Sequence, residues 1–193
     1  LSKIPIKGEN FENWCGFKDT RHISITLSNN VQIHNFYVPA GGDIPDVKIN
    51  PKFNHKIKFV KEMKEYFTKN KQFKTILVGD LNIAPLEHDV WSHKQLLNVV
   101  SHTPIETQSL TELMCNSNWV DVGREFITKD KKLYSWWSYR NKDWKKSNRG
   151  RRLDHIWISE DLKINLKSFL SCYEIRDWEK PSDHVPLILE LQI

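Results

Sequence analysis

The chain contains 193 residues, of which 39% are hydrophobic and 27% charged, a composition typical of a soluble globular protein with one large core. Its longest apolar runs have the length of a strand, whereas a membrane-spanning helix needs roughly 20 apolar residues, so we expect no membrane association. The net charge of +5 and the pI of about 9.0 fit a polyanionic partner. Cys15, Cys115 and Cys172 form no disulfide framework and favour a reducing compartment. We interpret residues 1–193 as one domain and expect a monomer.

Hydrophobic periodicity predicts the elements of the first half of the chain. Alternation over residues 20–28 and again over 31–38, with a Ser-Asn-Asn turn between them, predicts a hairpin. Apolar residues at helical spacing, with lysines between them, predict an amphipathic helix over 53–70. A continuous apolar run then predicts a buried strand over 74–79.

Strands dominate the second half. A capping box at residues 103–106, with Pro104 at the first helical position, predicts a second helix that runs to about Ser117. Further strands are predicted at 133–137, 152–159, 164–173 and 185–191. Because each helix has one apolar face, the pattern predicts an α/β or α+β layered sandwich in which helices cover the faces of sheets.

Polar residues cluster at the ends of three apolar strands. Asp80 and Asn82 follow the first of these apolar runs, and Asp154 precedes the second, at residues 156–158. Asp183 and His184 precede the third, in a loop fixed by a serine and two prolines. Acids, an amide and a histidine from different strand ends are the groups that metal-assisted hydrolysis requires. The sequence therefore predicts a hydrolytic site where these ends meet.

Each of these groups also has an alternative explanation. Asp80 could accept a proton and Asn82 could bind a phosphate oxygen, or the two could form an Asp-x-Asn turn that closes the strand. Asp154 could orient a histidine, or it could form an ion pair with a neighbouring arginine. Asp183 could hold a hard cation and His184 could polarise a phosphoryl oxygen, or both could belong to a strand-entry turn. Oxygen ligands without cysteine favour Mg²⁺ or Mn²⁺ over Zn²⁺.

A run of basic residues follows a pair of tryptophans. Trp136 and Trp137 lead into residues 140–152, which contain seven basic residues and one acid. Cations can meet phosphates, and an aromatic ring can wedge into a base step or cover a flipped nucleotide, so this pattern is typical of a nucleic-acid surface. The alternative is a core tryptophan beside a solvated basic loop.

Five segments resemble, in order, the motifs of one family. They are the segments 35–41 (Asn-Phe-Tyr-Val-Pro-Ala-Gly), 78–85 (Val-Gly-Asp-Leu-Asn-Ile-Ala-Pro), 134–140 (Tyr-Ser-Trp-Trp-Ser-Tyr-Arg), 148–154 (Asn-Arg-Gly-Arg-Arg-Leu-Asp) and 182–187 (Ser-Asp-His-Val-Pro-Leu). Over nearly its whole length the chain resembles the exodeoxyribonuclease III group of the endonuclease/exonuclease/phosphatase superfamily, which includes bacterial abasic-site endonucleases. The resemblance implies a four-layer α/β/β/α sandwich of two mostly antiparallel sheets, with the site where their edge loops meet.

The resemblance also implies an activity and its partners. The activity is Mg²⁺-dependent hydrolysis of phosphodiester bonds, with Mn²⁺ as a second option. The implied reactions are incision 5′ to an abasic site, 3′→5′ exonuclease action and the removal of 3′ blocking groups. The partners are duplex DNA with abasic sites or blocked 3′ ends, and the location is the bacterial cytoplasm, at the nucleoid during action.

Carried over by position, the resemblance assigns five catalytic roles. Asp80 aligns or deprotonates the attacking water, and Asn82 binds the scissile phosphate. Tyr37 contacts that phosphate or assists departure of the leaving group. His184, held by Asp154, stabilises charge on the phosphoryl oxygens. The DNA-binding set from the resemblance and the basic run comprises Trp136, Arg140, Lys145, Lys146, Asn148 and Arg149.

The metal site is where the chain departs from the family. Asp183 is assigned to the metal, but residues 1–6 resemble a segment that in the family follows a strand bearing an Asn and a later strand end bearing a metal-binding Glu. Neither has a counterpart here, so we expect the N-terminal strands to be missing. We also expect the 193 residues alone to show little or no nuclease activity while retaining some duplex binding.

Other functions remain open at this point. The main alternative is a non-catalytic DNA-binding remnant, or a piece that needs a complementing N-terminal segment. A phosphatase acting on lipid or inositol phosphates is a weaker rival, because it does not explain Trp136 beside the basic run.

Overall fold

The structure, a computed structural model, describes residues 1–141 and 143–193. Within them the strands are β1 (Ile6–Asn10), β2 (His22–Leu27), β3 (Gln32–Tyr37), β4 (Thr75–Asp80), β5 (Trp119–Asp121), β6 (Trp136–Trp137), β7 (Gly150–Arg151), β8 (Asp154–Ser159), β9 (Leu166–Ser171) and β10 (Leu187–Leu191). The α-helices are α1 (Pro51–Lys69), α2 (His93–Leu96), α3 (Pro104–Asn116), α4 (Val122–Phe126) and α5 (Trp144–Ser147).

Six strands form the main sheet, in the order β1-β2-β3-β4-β8-β5. Neighbouring strands are antiparallel except for β3 and β4, which are parallel. Two strands can be parallel neighbours only if a crossover returns the chain to the same end of the sheet, and α1 lies in that crossover. Separate antiparallel pairs are formed by β9 with β10 and by β6 with β7.

Both faces of the main sheet are covered. On one face, Phe59 of α1 and Leu110 of α3 are fully buried against Phe36 and Trp157 of the sheet. On the other, Ile158 of β8 belongs to a cluster with apolar residues of β9 and β10. These layers confirm the predicted α/β sandwich.

Helix α1 begins at Pro51, two residues before the start predicted from the apolar pattern. The Asn50 side chain accepts a hydrogen bond from the Lys52 N–H at 3.0 Å, and Pro51 occupies the first turn, where no backbone donor is needed. The buried face of the helix carries Phe53, Phe59, Val60, Met63 and Phe67, and also the charged Lys56. A lysine on this buried face requires a buried partner, and Lys56 Nζ lies 2.5 Å from a carboxylate oxygen of Glu106.

Some elements differ from the predicted ones. The strand expected over 133–137 is reduced to Trp136–Trp137, because Leu133 and Ser135 give their N–H groups to His88 and Arg151 rather than to one regular strand. Strand β1 was not predicted, since its residues are all exposed and show no alternation. Strand β5 has only three residues, too few for a periodic signal. Among the described residues, no helix combines the length and apolar character that a bilayer crossing requires.

Candidate active site

Three of the predicted catalytic residues lie side by side across neighbouring strands. Tyr37 at the end of β3 is the register partner of Asp80 at the end of β4, and Asp80 is in turn the partner of Asp154 at the start of β8. The site therefore lies at the edge where the two parallel strands end and the antiparallel strand begins. Tyr37 is 52% exposed, so its ring is open to a ligand.

A tight loop after β4 brings Asn82 onto Asp80. The Asn82 N–H donates to Asp80 Oδ1 at 2.9 Å, and its side-chain amide donates to Asp80 Oδ2 at 3.0 Å and to the Val38 carbonyl at 2.9 Å. Asn82 adopts φ +53°, a left-handed conformation that asparagine tolerates better than most residues. Gly79 has φ +134°, and a Cβ there would lie 2.0 Å from the Phe36 carbonyl oxygen, so only glycine fits. The Asp-x-Asn turn thus exists, and it also presents both side chains to the cleft described below.

His184 is held by Asp154. The ring atom Nδ1 of His184 lies 2.7 Å from Asp154 Oδ2, and the backbone N–H of His184 donates to Ser182 Oγ at 3.1 Å. The backbone N–H of Asp154 donates to Ser135 Oγ at 2.9 Å, which fixes the start of β8. The ion pair between Asp154 and an adjacent arginine is not formed: Arg152 instead contacts Asp89 and Asp121.

The pKa values of Asp80 and His184 are both raised, which favours the neutral form of the acid and the cationic form of the histidine. Burial, followed by the charge of Asp154, raises the pKa of Asp80 to about 6, although the Asn82 N–H, His184 and Lys56 oppose the shift. Burial disfavours the charged ring of His184, but its hydrogen bond to Asp154 and the charges of Asp154, Asp80 and Asp183 outweigh this and raise its pKa. The site therefore pairs a carboxyl that titrates near neutrality with a histidine that favours its cationic form.

Asp183 lies next to Trp136. The Trp136 indole N–H donates to Asp183 Oδ2 at 2.9 Å, and the Trp137 N–H donates to the Asp183 carbonyl at 2.9 Å. In the part of the chain that the structure describes, no three His, Cys, Asp or Glu side chains are grouped to hold a metal ion. Mg²⁺ does not need such a cage, since it is usually held by one or two carboxylates, substrate phosphate and water. The oxygen donor of Asp183 fits that mode of binding.

Most of these groups open onto one cleft of about 620 Å³, but Asp154 and Asp183 are not among its described lining residues. Of the predicted site residues, the cleft is lined by Tyr37, Asp80, Asn82, His184, Trp136, Arg140 and Arg149. Arg149 lies over the ring of the cleft residue Trp91, with its guanidinium carbon 4.7 Å from the centroid. Arginines and an indole beside a carboxyl–histidine group give the cleft the chemistry of an anion site with an aromatic wall.

The remaining predicted DNA-binding residues do not line the cleft. Lys145 pairs with Asp177 at 2.6 Å, and Asn148 Oδ1 accepts a hydrogen bond from the Trp137 indole at 3.2 Å. Lys146 is exposed in the short helix α5, where its N–H donates to Asp143. Lys142 of the basic run lies outside the described residues.

Two residues of the site were missed in the sequence. Arg151 lies over Trp136, with its guanidinium carbon 5.3 Å from the ring centroid, and donates to Val100 O and Ser101 Oγ. Lys56 is fully buried and donates to the Asn82 carbonyl at 2.8 Å. A lysine at an apolar position of an amphipathic helix was a usable signal for Lys56, and the signal for Arg151 was its place in the basic run of residues 140–152. His155 is buried, with Nε2 2.9 Å from the Ile83 carbonyl oxygen.

The chain belongs to the endonuclease/exonuclease/phosphatase family, which residues 2–184 match. It is similar to exodeoxyribonuclease III of Haemophilus influenzae, with 30% identity over 149 residues that cover 73% of this chain and 55% of that protein. It is also similar to an exodeoxyribonuclease of Bacillus subtilis, with 31% identity over 118 residues that cover 61% and 44%. The chain thus spans about half the length of these curated relatives.

Solved structures share the fold. A 3′ phosphatase, NExo from Neisseria, bound to a product DNA hairpin, superposes with a TM-score of 0.87 and 25% identity, covering all of this chain and 73% of that one. An AP endonuclease from Archaeoglobus fulgidus gives a TM-score of 0.88, also with 25% identity and the same coverage. The family resemblance and the fold class predicted from the motifs are therefore confirmed.

Proposed function

We propose that this chain carries the site of a DNA-repair nuclease that hydrolyses phosphodiester bonds of duplex DNA with Mg²⁺, or with Mn²⁺ in its place. The proposed reactions are incision 5′ to abasic sites, 3′→5′ exonuclease action and the cleaning of 3′ ends. The observation that carries the proposal is the row formed by Tyr37, Asp80 and Asp154, with His184 bound to Asp154, on a cleft lined with arginines. The similarity to exodeoxyribonucleases and AP endonucleases supports it.

Asp80 is the proposed proton acceptor. As the water oxygen bonds to phosphorus and the bond to the leaving oxygen breaks, a proton of the water passes to Asp80. A carboxyl with a pKa of about 6 is mostly ionised at neutral pH and remains basic enough for this step. The two N–H groups of Asn82 that contact Asp80 fix the orientation of the carboxylate. In the complex with DNA, we propose that the Asn82 amide turns to the scissile phosphate.

His184 and Tyr37 are proposed to act on the phosphate oxygens. Because Asp154 occupies Nδ1 of His184, Nε2 is the ring atom left to donate to a phosphoryl oxygen. The raised pKa of His184 favours the cationic ring, which stabilises the charge that develops in the transition state. Tyr37 lies on the strand next to that of Asp80, and its hydroxyl is proposed to contact the same phosphate or to assist the leaving oxygen.

Asp183 is proposed to supply one oxygen ligand to Mg²⁺. When bound, the ion neutralises charge on the phosphate and lowers the barrier to attack. The hydrogen bond from Trp136 holds one oxygen of Asp183 and leaves the other available. Trp136 is also proposed to lie against the abasic sugar or the DNA groove.

The DNA strand is proposed to run along the arginines. Arg140 and Arg149 line the cleft and are placed to meet phosphates beside the scissile bond. Lys145, Lys146 and Asn148 lie on the same segment outside the cleft, where they would meet the flanking backbone. The protein is proposed to work as a monomer in the bacterial cytoplasm, and its three cysteines are free.

Incision of a duplex with one abasic site tests this function. The assay compares the 193-residue chain with an extended form, in which the N-terminal segment of the Haemophilus influenzae relative precedes residue 1. The extended form should cut the DNA with Mg²⁺ or Mn²⁺ and stop in EDTA, while the chain alone binds the duplex and cuts weakly or not at all. Binding without incision by either form would instead support the non-catalytic DNA-binding alternative. Absence of both binding and incision would refute the proposed function.

A further inference from the structure

A second cavity lies on the side of the basic run, residues 140–152, that faces away from the cleft. Its volume is about 320 Å³, at the lower end of the roughly 300–1,000 Å³ typical of small-molecule pockets. It shares no lining residue with the cleft among the described residues. The walls are aromatic and the rim is basic: Tyr134, Trp137, Trp144, Tyr173, Lys132 and Lys145. We call this cavity the aromatic pocket.

The backbone places the aromatic pocket directly behind the cleft. Trp136 lines the cleft and Trp137 lines the pocket, since successive residues of a strand point to opposite faces. Asn148 and Arg149 divide in the same way, with Asn148 on the pocket and Arg149 on the cleft. A nucleic-acid strand that meets Arg149 in the cleft is thus separated from the pocket by the thickness of this segment alone.

The rings of the pocket form a box. Trp137 meets Trp144, Tyr173 and Tyr134 edge to face, with centroids 5.2, 5.7 and 5.9 Å apart and interplanar angles of 64°, 79° and 81°. Trp137 and Tyr134 are buried, so the half-buried Trp144 and Tyr173 supply the ring surface that a flat ligand can reach. The Tyr134 hydroxyl, on a side chain that is 3% exposed, has no hydrogen-bond partner among the described residues. An unpartnered donor beside aromatic faces suits a planar ligand with ring nitrogens or carbonyl oxygens.

The charges around the pocket select an anionic ligand. Lys145 lies over the Trp144 ring at 5.8 Å, and the Arg176 guanidinium carbon lies at the same distance from that ring. Lys132 adds a third cation at the rim, while Asp177, which pairs with Lys145, is the acid in contact with this group. An ammonium ligand would be repelled by this balance, whereas a base that carries a phosphate satisfies both the rings and the cations.

We propose that the aromatic pocket binds one unpaired base of a DNA strand whose duplex part lies in the cleft. The duplex part of this proposal rests on the proposed function. The base stacks on the accessible ring surface of Trp144 and Tyr173, and its phosphate meets Lys132 and Lys145. Substrates with a single-stranded extension next to the duplex would therefore bind more tightly than blunt ones.

The test uses the 193-residue chain and a fluorescent base, 2-aminopurine, whose emission falls when it stacks on an aromatic ring. It is supplied as the free mononucleotide and within the single-stranded extension of a short duplex. Trp144→Ala removes a wall of the pocket, and Lys132→Gln removes a rim cation without touching a ring. Trp178→Ala is the matched control, because Trp178 is 65% exposed and does not line the pocket. Circular dichroism checks the folding of each variant.

The expected result is quenching by the wild-type chain and a roughly 5- to 100-fold loss of affinity for the extended duplex in Trp144→Ala. Lys132→Gln should show a smaller loss, while Trp178→Ala and binding of the blunt duplex should be unchanged. Equal losses for blunt and extended duplexes, or unaltered mononucleotide quenching in Trp144→Ala, would overturn the pocket. Quenching by the mononucleotide without any duplex binding would retain the pocket and refute the proposed function instead.

Discussion

Asp80 and Asp154 are register partners on adjacent antiparallel strands, so two carboxyl groups lie side by side at the edge of the main sheet. Burial, and after it the charge of Asp154, raises the pKa of Asp80. His184 lies against the second carboxyl and shares its field. One carboxyl of the pair thus has a raised pKa, and the other is bound to a histidine.

The first prediction concerns the ionisation of Asp80. In the metal-free chain, the Asp80 carboxyl should titrate near pH 6, because burial and the charge of Asp154 both raise its pKa. Replacing Asp154 with Asn removes the second cause and should lower the midpoint, while burial keeps it above the ordinary value. Carbon-13 NMR of aspartate carboxyls, with Asp80→Asn used to assign the signal, measures both midpoints. A midpoint near 4 in the wild-type chain would contradict the description of the site.

The second prediction is that Asp80→Asn stabilises the fold at neutral pH. The pKa of Asp80 is higher in the folded chain than in the unfolded chain, so its ionisation costs stability above about pH 6 and nothing below its unfolded pKa. Asparagine removes the charge together with one of the two oxygens that accept hydrogen bonds from Asn82, so it should add about 1–2 kcal/mol more at pH 7.5 than at pH 4, where the charge is absent from both forms. Urea unfolding at pH 7.5 and at pH 4 measures the difference. A gain of the same size at both pH values would show that charge is not the cause.

The third prediction concerns phosphate contacts. Replacing Arg149, Lys145 or Lys146 with Ala should each reduce the slope of log affinity for duplex DNA against log salt concentration by about one. Each variant loses one phosphate contact, so fewer counterions are released when it binds DNA. Arg149 lines the cleft, so its loss should weaken DNA binding most. Lys145 must first break its ion pair with Asp177 to contact DNA, so its loss should weaken binding less. Lys163→Ala, at an exposed lysine paired with Glu125, is the control and should leave the slope unchanged. Unaltered duplex binding after all three changes would show that this basic run is a solvated loop without phosphate contacts.

The fourth prediction concerns the buried pair of Lys56 and Glu106. Their charged atoms lie 2.5 Å apart with neither side chain exposed, and Lys56 also donates to the Ala40 and Asn82 carbonyls. Lys56→Met leaves a buried carboxylate unpaired and should cost about 3–5 kcal/mol of unfolding free energy. The double variant Lys56→Met/Glu106→Gln should recover much of that loss.

Lys64→Met is the matched control for Lys56→Met. Lys64 lies on the same helix and pairs with Glu112 at the surface, at 2.8 Å, so its loss should cost about 1 kcal/mol or less. Denaturant unfolding compares the three variants. A similar cost for Lys56→Met and Lys64→Met would contradict a structural role for the buried pair.

The candidate site was visible in the sequence because its residues follow or precede apolar runs. A strand ends where its alternation or apolar run ends, so Asp80, Asp154 and His184 could be placed at strand termini without coordinates. Their order across the sheet could not be predicted, because the parallel pairing of β3 with β4 joins segments more than forty residues apart in sequence. The pattern also could not show that Lys145 turns to Asp177 while Arg149 turns to the cleft.

The same limit applies to the fold. The hairpin of β2 and β3 and the two long helices follow from local periodicity and capping, and they appear within a few residues of the predicted bounds. Strands β1 and β5 exist because the main sheet offers them an edge, and their own residues carry no pattern. Whether such a segment becomes an edge strand depends on the strand beside it, so the pattern of its own residues cannot predict the pairing.

Single-turnover incision of an abasic duplex by the extended form tests the central claim most directly, with DNA binding measured under the same conditions. Asp80→Asn, Asp154→Ala and His184→Ala should each slow incision by about 10²-fold or more while duplex affinity changes little, because these groups move the proton or stabilise the developing charge. His93→Ala, at an exposed histidine that does not line the cleft, should cut at the wild-type rate. Near-normal incision by all three site variants would contradict the assignment of this site.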